Sequence, residues 1–296
     1  MNIGCHVSIT KGLPAGRQGI DKAPELANKL GCEVMQIFTR SPQDGPFSEI
    51  SEEMAENFKK NSKKFEIKNV YVHTPYFINL ASKNNRIYYG SINSIRKELE
   101  RASLLGAKYV MTHLGSAKDL GEEESIKKTI DGLEKIFEDY SGSAKLLIEN
   151  SAGAGQIIGS DFGQIGKILK AFEIKPTYEV GSKNRLRKSV LAGICLDTQH
   201  SFASGYDWKN DFNGCIELIE KNLGVKKIKL IHSNDSLTDF NSRKDRHNHI
   251  GKGKIGLEGF ERLVAFAKKN NIDMICETAY PGVIEDIKIL KEMRDK

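Results

Sequence analysis

The chain has 296 residues, 39% hydrophobic and 28% charged, with a formal net charge of +6 at pH 7. That length is near the upper limit for one hydrophobic core, so one large domain or two small ones are admitted. The composition is that of an ordinary soluble globular protein, no apolar run approaches the roughly 20 residues a membrane helix needs, and the mild basic excess permits a nucleic-acid partner without establishing one.

From the N-terminus, Met1-Asn-Ile-Gly-Cys-His6 enters a polar, glycine-containing stretch at once, so no secretory signal is expected. Short β-type runs follow at Ile3–Ser8, Glu33–Phe38, Asn69–Thr74, Tyr109–His113, Lys145–Asn150, Gly193–Thr198, Ile228–Ser233 and Asp273–Thr278. Helical patterns lie between them at Ala23–Leu30, Ser51–Phe65, Ile92–Leu105, Glu122–Phe137, Asp161–Phe172, Ile216–Leu223, Leu257–Lys268 and Val283–Met293. Eight strands alternating with helices predict an α/β fold, a TIM (β/α)8 barrel, over one domain spanning 1–296. A doubly wound open sheet is the competing arrangement, which periodicity alone does not exclude. The irregular segments Arg40–Phe47 and Asp235–Lys254 directly follow strands and fall among the loops that build a barrel's active site. The basic run Lys183 to Lys188 precedes the sixth strand and is expected on the opposite face as a solvated turn. Five cysteines (Cys5, Cys32, Cys195, Cys215, Cys276) without Cys-x-x-Cys spacing read as reduced, mostly buried thiols of a cytoplasmic protein.

What ends each strand carries the chemistry. His73, His113, Glu149, Asp197, His232 and Glu277 each close an apolar run, with His200 just beyond the sixth run and Asp245 and His247 in the loop after the seventh. Parallel barrel strands would bring them together at the C-terminal mouth. Taken singly, a histidine at a strand end is a hydrogen-bonded structural residue and a glutamate there a strand terminator. Taken together, so many polar groups beside one core would be costly unless each had a partner, and metal coordination supplies one. Five histidines and four carboxylates suffice for two or three ions. Imidazole mixed with carboxylate suits zinc first, with manganese or iron as substitutes, and argues against calcium.

In this order the motifs resemble the endonuclease IV family over nearly the whole chain. They are Ile3-Gly-Cys-His-Val-Ser8, His73-Thr-Pro-Tyr76, Ile148-Glu-Asn-Ser-Ala-Gly153, Cys195-Leu-Asp-Thr-Gln-His200, His232-Ser-Asn-Asp235, Asp245-Arg-His247 and Glu277-Thr278. The resemblance implies three zinc ions. His73 and His113 would hold one, with Glu149 bridging to a second that Asp197, His232 and Glu277 complete; His200, Asp245 and His247 would hold the third. It also implies hydrolysis of duplex DNA 5′ to abasic sites in base excision repair, with Glu149 in the catalytic role of orienting the nucleophile. A monomer acting on a long substrate, with no membrane partner, is the expected state.

Three departures concern the grip on DNA. Leu114 stands where the family has proline, the stretch Gly12–Ile20 is longer than the family's turn, and the loop after the second strand has Gln43 and Gly45 where the family carries arginine and tryptophan. Candidate DNA contacts are Tyr76, which would stack on or wedge beside the damaged sugar or else pack at the mouth, with Gln43, Arg246 and Lys252. Gly251 and Gly253 would let backbone approach a phosphate. His249 is read as no ligand, and His6 as a support behind the site. The rival keeps the barrel and changes the chemistry: Glu149, Asp197, His232 and Glu277 alone suit a single-metal sugar isomerase or epimerase, leaving the other five candidates idle. A non-enzymatic protein that binds damaged DNA is a second alternative, for which an intact ligand set is unnecessary.

Overall fold

The computed structural model describes residues 1–9, 19–42, 49–173 and 190–296. Eight parallel strands alternate with helices: β1 (Ile3–His6), α1 (Ala23–Lys29), β2 (Val34–Ile37), α2 (Glu52–Lys64), β3 (Val70–His73), α3 (Asn85–Leu104), β4 (Tyr109–Thr112), α4 (Glu122–Phe137), β5 (Lys145–Glu149), α5 (Phe162–Ala171) and β6 (Leu191–Asp197) continue to β7 (Ile228–His232) and β10 (Asp273–Cys276). Between β6 and β7 lie α6 (Thr198–Ala203) and α7 (Phe212–Asn222). After β7 the two-residue strands β8 (Asp235–Ser236) and β9 (His247–Asn248) form a small antiparallel hairpin, and α8 (Gly256–Asn270) leads to β10, which α9 (Val283–Asp295) follows. The pairing of β1 with β10 (Ile3↔Met274, Gly4↔Ile275, Cys5↔Cys276) closes the sheet into a barrel and rules out the open, doubly wound alternative.

Helix starts follow their caps. Ser51 accepts from the Met54 amide at the head of α2, and Asp161 accepts from Gly163 and Gln164 at the head of α5. α3 begins at Asn85, seven residues before the apolar periodicity suggests, because the Asn84 side chain accepts from the Arg86 and Ile87 amides. α7 likewise starts at Phe212 behind its cap Asp211. α6 is absent from the sequence reading since it abuts β6 with no turn residue between. Its cap is Asp197 itself, which accepts from the His200 amide at 2.6 Å.

Alternation along the strands divides the core in two. Val34, Tyr71, Met111, Leu147, Cys195, Leu230 and Ile275 form the inner cluster, and a larger set including Ile3, Val72, Val110, Leu146, Ile194 and Ile231 packs with the helices. At the foot of the barrel the Asp273 carboxylate accepts from Asn2 (backbone 2.7 Å, side chain 2.8 Å), from Asn69 at 2.6 Å and from the Tyr71 hydroxyl at 2.6 Å. All five cysteines are buried free thiols. Among the described residues no helix is long and apolar enough to cross a membrane. The basic run Lys183 to Lys188 lies outside the described residues.

Glu33 ties the first strand to the last helix: its Oε2 accepts from the Ile3 amide at 2.9 Å and from Arg294 at 2.6 Å, and its Oε1 lies 3.5 Å from Lys291 Nζ. Burial opposes its charge, but Arg294, the Ile3 amide and Lys291 outweigh that and hold the carboxyl below its ordinary value. A depressed folded-state pKa contributes stability above the unfolded value of about 4.3 and loses it as pH falls through the folded value. Glu33→Gln is therefore expected to cost about 0.5–1 kcal/mol at pH 7, given partial solvent screening, with the deficit shrinking toward zero near pH 3. Thermal melts of both proteins from pH 7 to 3 check this; a deficit that does not change with pH would contradict it.

Candidate metal centre

The strand ends deliver the donors. His73, Glu149, Asp197 and His232 are the last residues of β3, β5, β6 and β7, while His113 and Glu277 directly follow β4 and β10. α6 turns His200 back over the same mouth, and the β8–β9 hairpin brings His247 into register with Ser236. The donor atoms gather in three groups, each within 4.8 Å: His73, His113 and Glu149; Glu149, Asp197, His232 and Glu277; and Asp197, His200 and His247. Asp245 closes the third group from the solvent side, its oxygens 3.2 Å from His200 Nε2 and 3.4 Å from His247 Nε2. The six candidates at strand ends and the three from beyond β6 and β7 thus meet at one mouth. Asp197 faces both its expected group and that of His200 and His247.

Glu149 is the hub. Its Oε2 lies 2.9 Å from His73 Nε2 and 3.6 Å from His113 Nε2, and its Oε1 lies 3.0 Å from His232 Nδ1 and 3.5 Å from His200 Nδ1. Burial works against its charge, but His113, His232 and His73 hold the carboxyl well below the usual carboxylate range. Glu277 is likewise held at about 2, burial being outweighed by His232 and His73. His200 is pushed up to about 10 because Asp197, Asp245 and Glu149 overcome its burial. His113, where burial prevails over Glu149, is lowered to about 4. Asp197 goes the other way, its burial raising the carboxyl against the pull of His200 and His247.

Two further observations fit metal ions. The Nε2 atoms of His200 and His247 are buried yet make no directed hydrogen bond among the described residues, although Asp245 stands beside both. Such orphaned imidazole nitrogens facing a carboxylate are placed as ligands are. The remaining ring nitrogens are occupied from behind. His73 Nδ1 contacts the Thr74 carbonyl at 2.6 Å, His200 Nδ1 the Asn150 carbonyl at 3.1 Å, and His232 Nε2 the Gln36 Oε1 at 2.7 Å. Partners of this kind fix which nitrogen is free to coordinate.

Several supporting residues escaped the sequence reading. Gln36, fully buried on β2, receives His232 on its oxygen and gives its amide to Glu277 at 2.7 Å and to His6 Nδ1 at 3.0 Å. A glutamine inside the run Val-Met-Gln-Ile was the available signal, since an amide has no reason to stand among core residues unless both ends are used. Asn234 bonds Asp197 at 2.7 Å and Glu277 at 3.2 Å, keeping two carboxylates apart. Asn150 accepts from the Asp197 amide and donates to its carbonyl. His6, read from the sequence as a support behind the site, lines the cavity itself with its ring 4.5 Å from that of Phe38. His249 bonds Asp286 at 2.7 Å, turned away from the donor groups.

The loop that carries Asp245 and His247 is held by buried acids on both flanks. Asp235 accepts from the amides of Gly251 and Gly253 at 3.0 Å, Ile255 at 2.9 Å and Ser236 at 2.7 Å. Asp286 holds the Ile250 amide at 2.9 Å as well as His249. Gly251 has φ +76°, and a Cβ on Gly253 would come within 2.5 Å of Asp235 Oδ1, so glycine at both positions serves this tight turn.

A cavity of about 910 Å³ opens above the donors, lined among others by His73, His113, His247, Tyr76, Phe77 and Arg246. Tyr76 is two-thirds exposed at the lip, its ring 5.4 Å from Phe38. Arg246 borders the cavity with its guanidinium on the Asp245 carbonyl, whereas Lys252 is exposed on the turn beyond and does not line it. Gln43 lies outside the described residues. Leu114, where the resemblance expected proline, is fully buried and its carbonyl accepts from the Leu80 amide.

Comparison with known proteins agrees with this geometry. Residues 24–294 match the model of the family described as xylose isomerase-like TIM barrel. A protein of Cenarchaeum symbiosum (strain A) named "Probable endonuclease 4" is 35% identical over 301 residues, covering 99% of each chain. The crystal structure of endonuclease IV from Thermus thermophilus superposes with a TM-score of 0.82 at 27% identity, covering 100% of this chain and 99% of that one. A D-tagatose 3-epimerase-like protein superposes with a TM-score of 0.69 at 21% identity, covering 100% and 97%, a likeness of fold alone.

Because Asp235 gathers the turn after His247, Asp235→Ala is expected to weaken metal binding at the His200–His247 group by about 10–100-fold while the other groups change far less. It should also cost about 2–4 kcal/mol of stability through the stranded amides. Metal content after dialysis against graded chelator, read beside thermal melts, checks both; full retention of metal would show the loop is held by other means.

Proposed function

Since the chain belongs to the endonuclease IV family, we propose that it hydrolyses the phosphodiester 5′ to abasic sites in duplex DNA. The products are a 3′-hydroxyl and a 5′-deoxyribose phosphate, a step of base excision repair. The observation that carries this reading is the convergence of nine donor residues in three groups on one mouth. We read 1–296 as one barrel domain, monomeric, working in the cytoplasm where its buried thiols stay reduced.

We assign three zinc ions, with manganese or iron as substitutes. His73, His113 and Glu149 would hold one; Glu149, Asp197, His232 and Glu277 the second; His200, Asp245 and His247 the third, with Asp197 beside it. When bound, divalent ions supply positive charge for the phosphoryl oxygens and leaving group, and acidify water enough to give a nucleophile at neutral pH. The chain's own residues do the rest. Glu149, wedged between His73 and His232, is positioned to orient the attacking water toward the phosphorus. Gln36 and Asn234 keep the ligand carboxylates in place as charge changes during reaction. Tyr76 and Phe77 supply an aromatic lip, and the cavity's volume is in the range that receives one nucleotide. Turning a nucleotide out of the duplex costs least where its base is already missing, which favours abasic sites without base readout. Arg246 borders the cavity as a phosphate contact, with Lys252 and Gln43 as further candidates.

A sugar isomerase would need only the Glu149–Asp197–His232–Glu277 group, and the remaining histidines and Asp245 would then have no task. Two or three ions per chain favour the nuclease, one the isomerase.

The test is a duplex oligonucleotide with one tetrahydrofuran abasic analogue, which cannot undergo β-elimination. Metal-loaded protein is expected to nick 5′ to the analogue and leave a 3′-hydroxyl, with activity lost after prolonged chelation and restored by zinc. No nick from fully loaded protein would sink the reading. His113→Ala should lose one ion and lower turnover by roughly 10²-fold or more, since it removes a direct ligand. Near-normal turnover with normal metal content would remove His113 from the centre.

A further inference from the structure

One buried charge takes no part in the chemistry above. Glu98 is 0% exposed on α3, where the neighbouring buried side chains are Ile95, Leu99 and Ala102. A carboxylate at that depth is costly unless its charge is answered, and an apolar residue would pack the same helix face without that cost. Its Oε2 accepts from the Thr39 hydroxyl at 2.5 Å. Arg101, one turn along α3, donates through Nε to the same hydroxyl at 2.7 Å and through Nη2 to the Thr39 carbonyl at 2.5 Å. Thr39 is thus held from side chain and backbone at once, in the loop that leaves β2.

What stands on either side of Thr39 gives this grip its meaning. Phe38 packs against His6 at 4.5 Å, the ring of His73 at 5.5 Å and Tyr76 at 5.4 Å. Arg40, nearly fully buried and close enough to Glu98 for the charges to interact, sets its guanidinium 5.5 Å from the Phe77 ring centroid. The Tyr76 amide donates to the Pro42 carbonyl at 3.3 Å, joining the loop after β2 to the loop after β3. The exposed rings at the cavity lip, Tyr76 and Phe77, therefore rest on a platform whose fixed point is Thr39.

We propose that Glu98 is a positioning residue for DNA engagement: through Thr39 it locks residues 38–42 after β2 and the Tyr76–Phe77 stretch after β3 into one rigid aromatic lip. The inference rests on the nuclease reading for its DNA partner, but the rigidity it asserts can be read without catalysis. A preordered lip loses less freedom when substrate arrives, so its effect falls on binding more than on the chemical step.

The experiment uses zinc-loaded full-length protein and the tetrahydrofuran duplex, with Thr39→Val, Glu98→Ala and Glu98→Gln. Thr39→Val keeps volume and removes only the hydroxyl, so it serves if Glu98→Ala fails to fold. Expected are a KM about tenfold higher for Thr39→Val and Glu98→Ala, with kcat and metal per chain within about twofold. Amide exchange should accelerate in segments 37–42 and 75–80 but not elsewhere. Glu98→Gln, which keeps an acceptor for Thr39, should stay within about threefold of the parent KM. An unchanged KM, or exchange no faster in those segments than elsewhere, overturns the proposal. So does a joint fall of kcat, metal content and melting temperature, the mark of a purely structural contact. If the parent protein does not nick the duplex, that result falls on the nuclease reading, and the exchange data alone decide whether Glu98 fixes the lip.

Discussion

The mutual repulsion of buried carboxylates is the constraint around which this molecule is arranged. Glu149, Asp197 and Glu277 lie at the ends of different strands, yet the barrel brings their oxygens within 4.8 Å of a His232 ring nitrogen and of one another. Unanswered, each would cost several kcal/mol. Imidazoles answer from the front, and the neutral amides of Gln36 and Asn234 answer from behind. The inner apolar cluster below, from Val34 to Ile275, supplies the rigid floor on which so polar a layer can rest.

The barrel was legible because strand and helix periods alternate without a break. The donors were legible because a histidine or acid at the end of an apolar run is conspicuous. What was not legible is what depends on packing across the barrel. Gln36 looks like an ordinary strand residue until closure sets it between His6, His232 and Glu277. α6 carries too few residues to show a period, and its cap doubles as a metal-ligand candidate. Glu98 sits on an amphipathic helix where charge is usually solvated, and only the approach of Thr39 shows that it faces inward. α3 started early because a cap outranks periodicity in deciding where a helix begins.

The same barrel serves sugar epimerase-like proteins, so the fold alone does not decide the chemistry. The difference lies in the donors outside the Glu149–Asp197–His232–Glu277 group. His73 and His113 add donors from the ends of β3 and β4, and His200 with the Asp245–His247 loop adds donors from beyond β6 and β7, with the His113 and His200 rings 5.4 Å apart. The added donors turn a single group into a cluster of three that share Glu149 and Asp197, suited to a group that must be gripped on both sides of the bond being broken.

The three donor groups are not built on equally firm ground. His73 and His113 sit at the ends of barrel strands, whose opening requires the cooperative core to come apart. His247 and Asp245 depend on a ladder of two residues per strand, which cannot stand alone and is kept by the amides gathered on Asp235. Opening that ladder breaks a handful of hydrogen bonds and exposes little apolar surface, so it belongs to the low-energy end of native fluctuations. The donor set therefore has a built-in order of disassembly: His247 and Asp245 can part from His200 while the barrel stands, whereas His73 and His113 separate only when the barrel itself gives way.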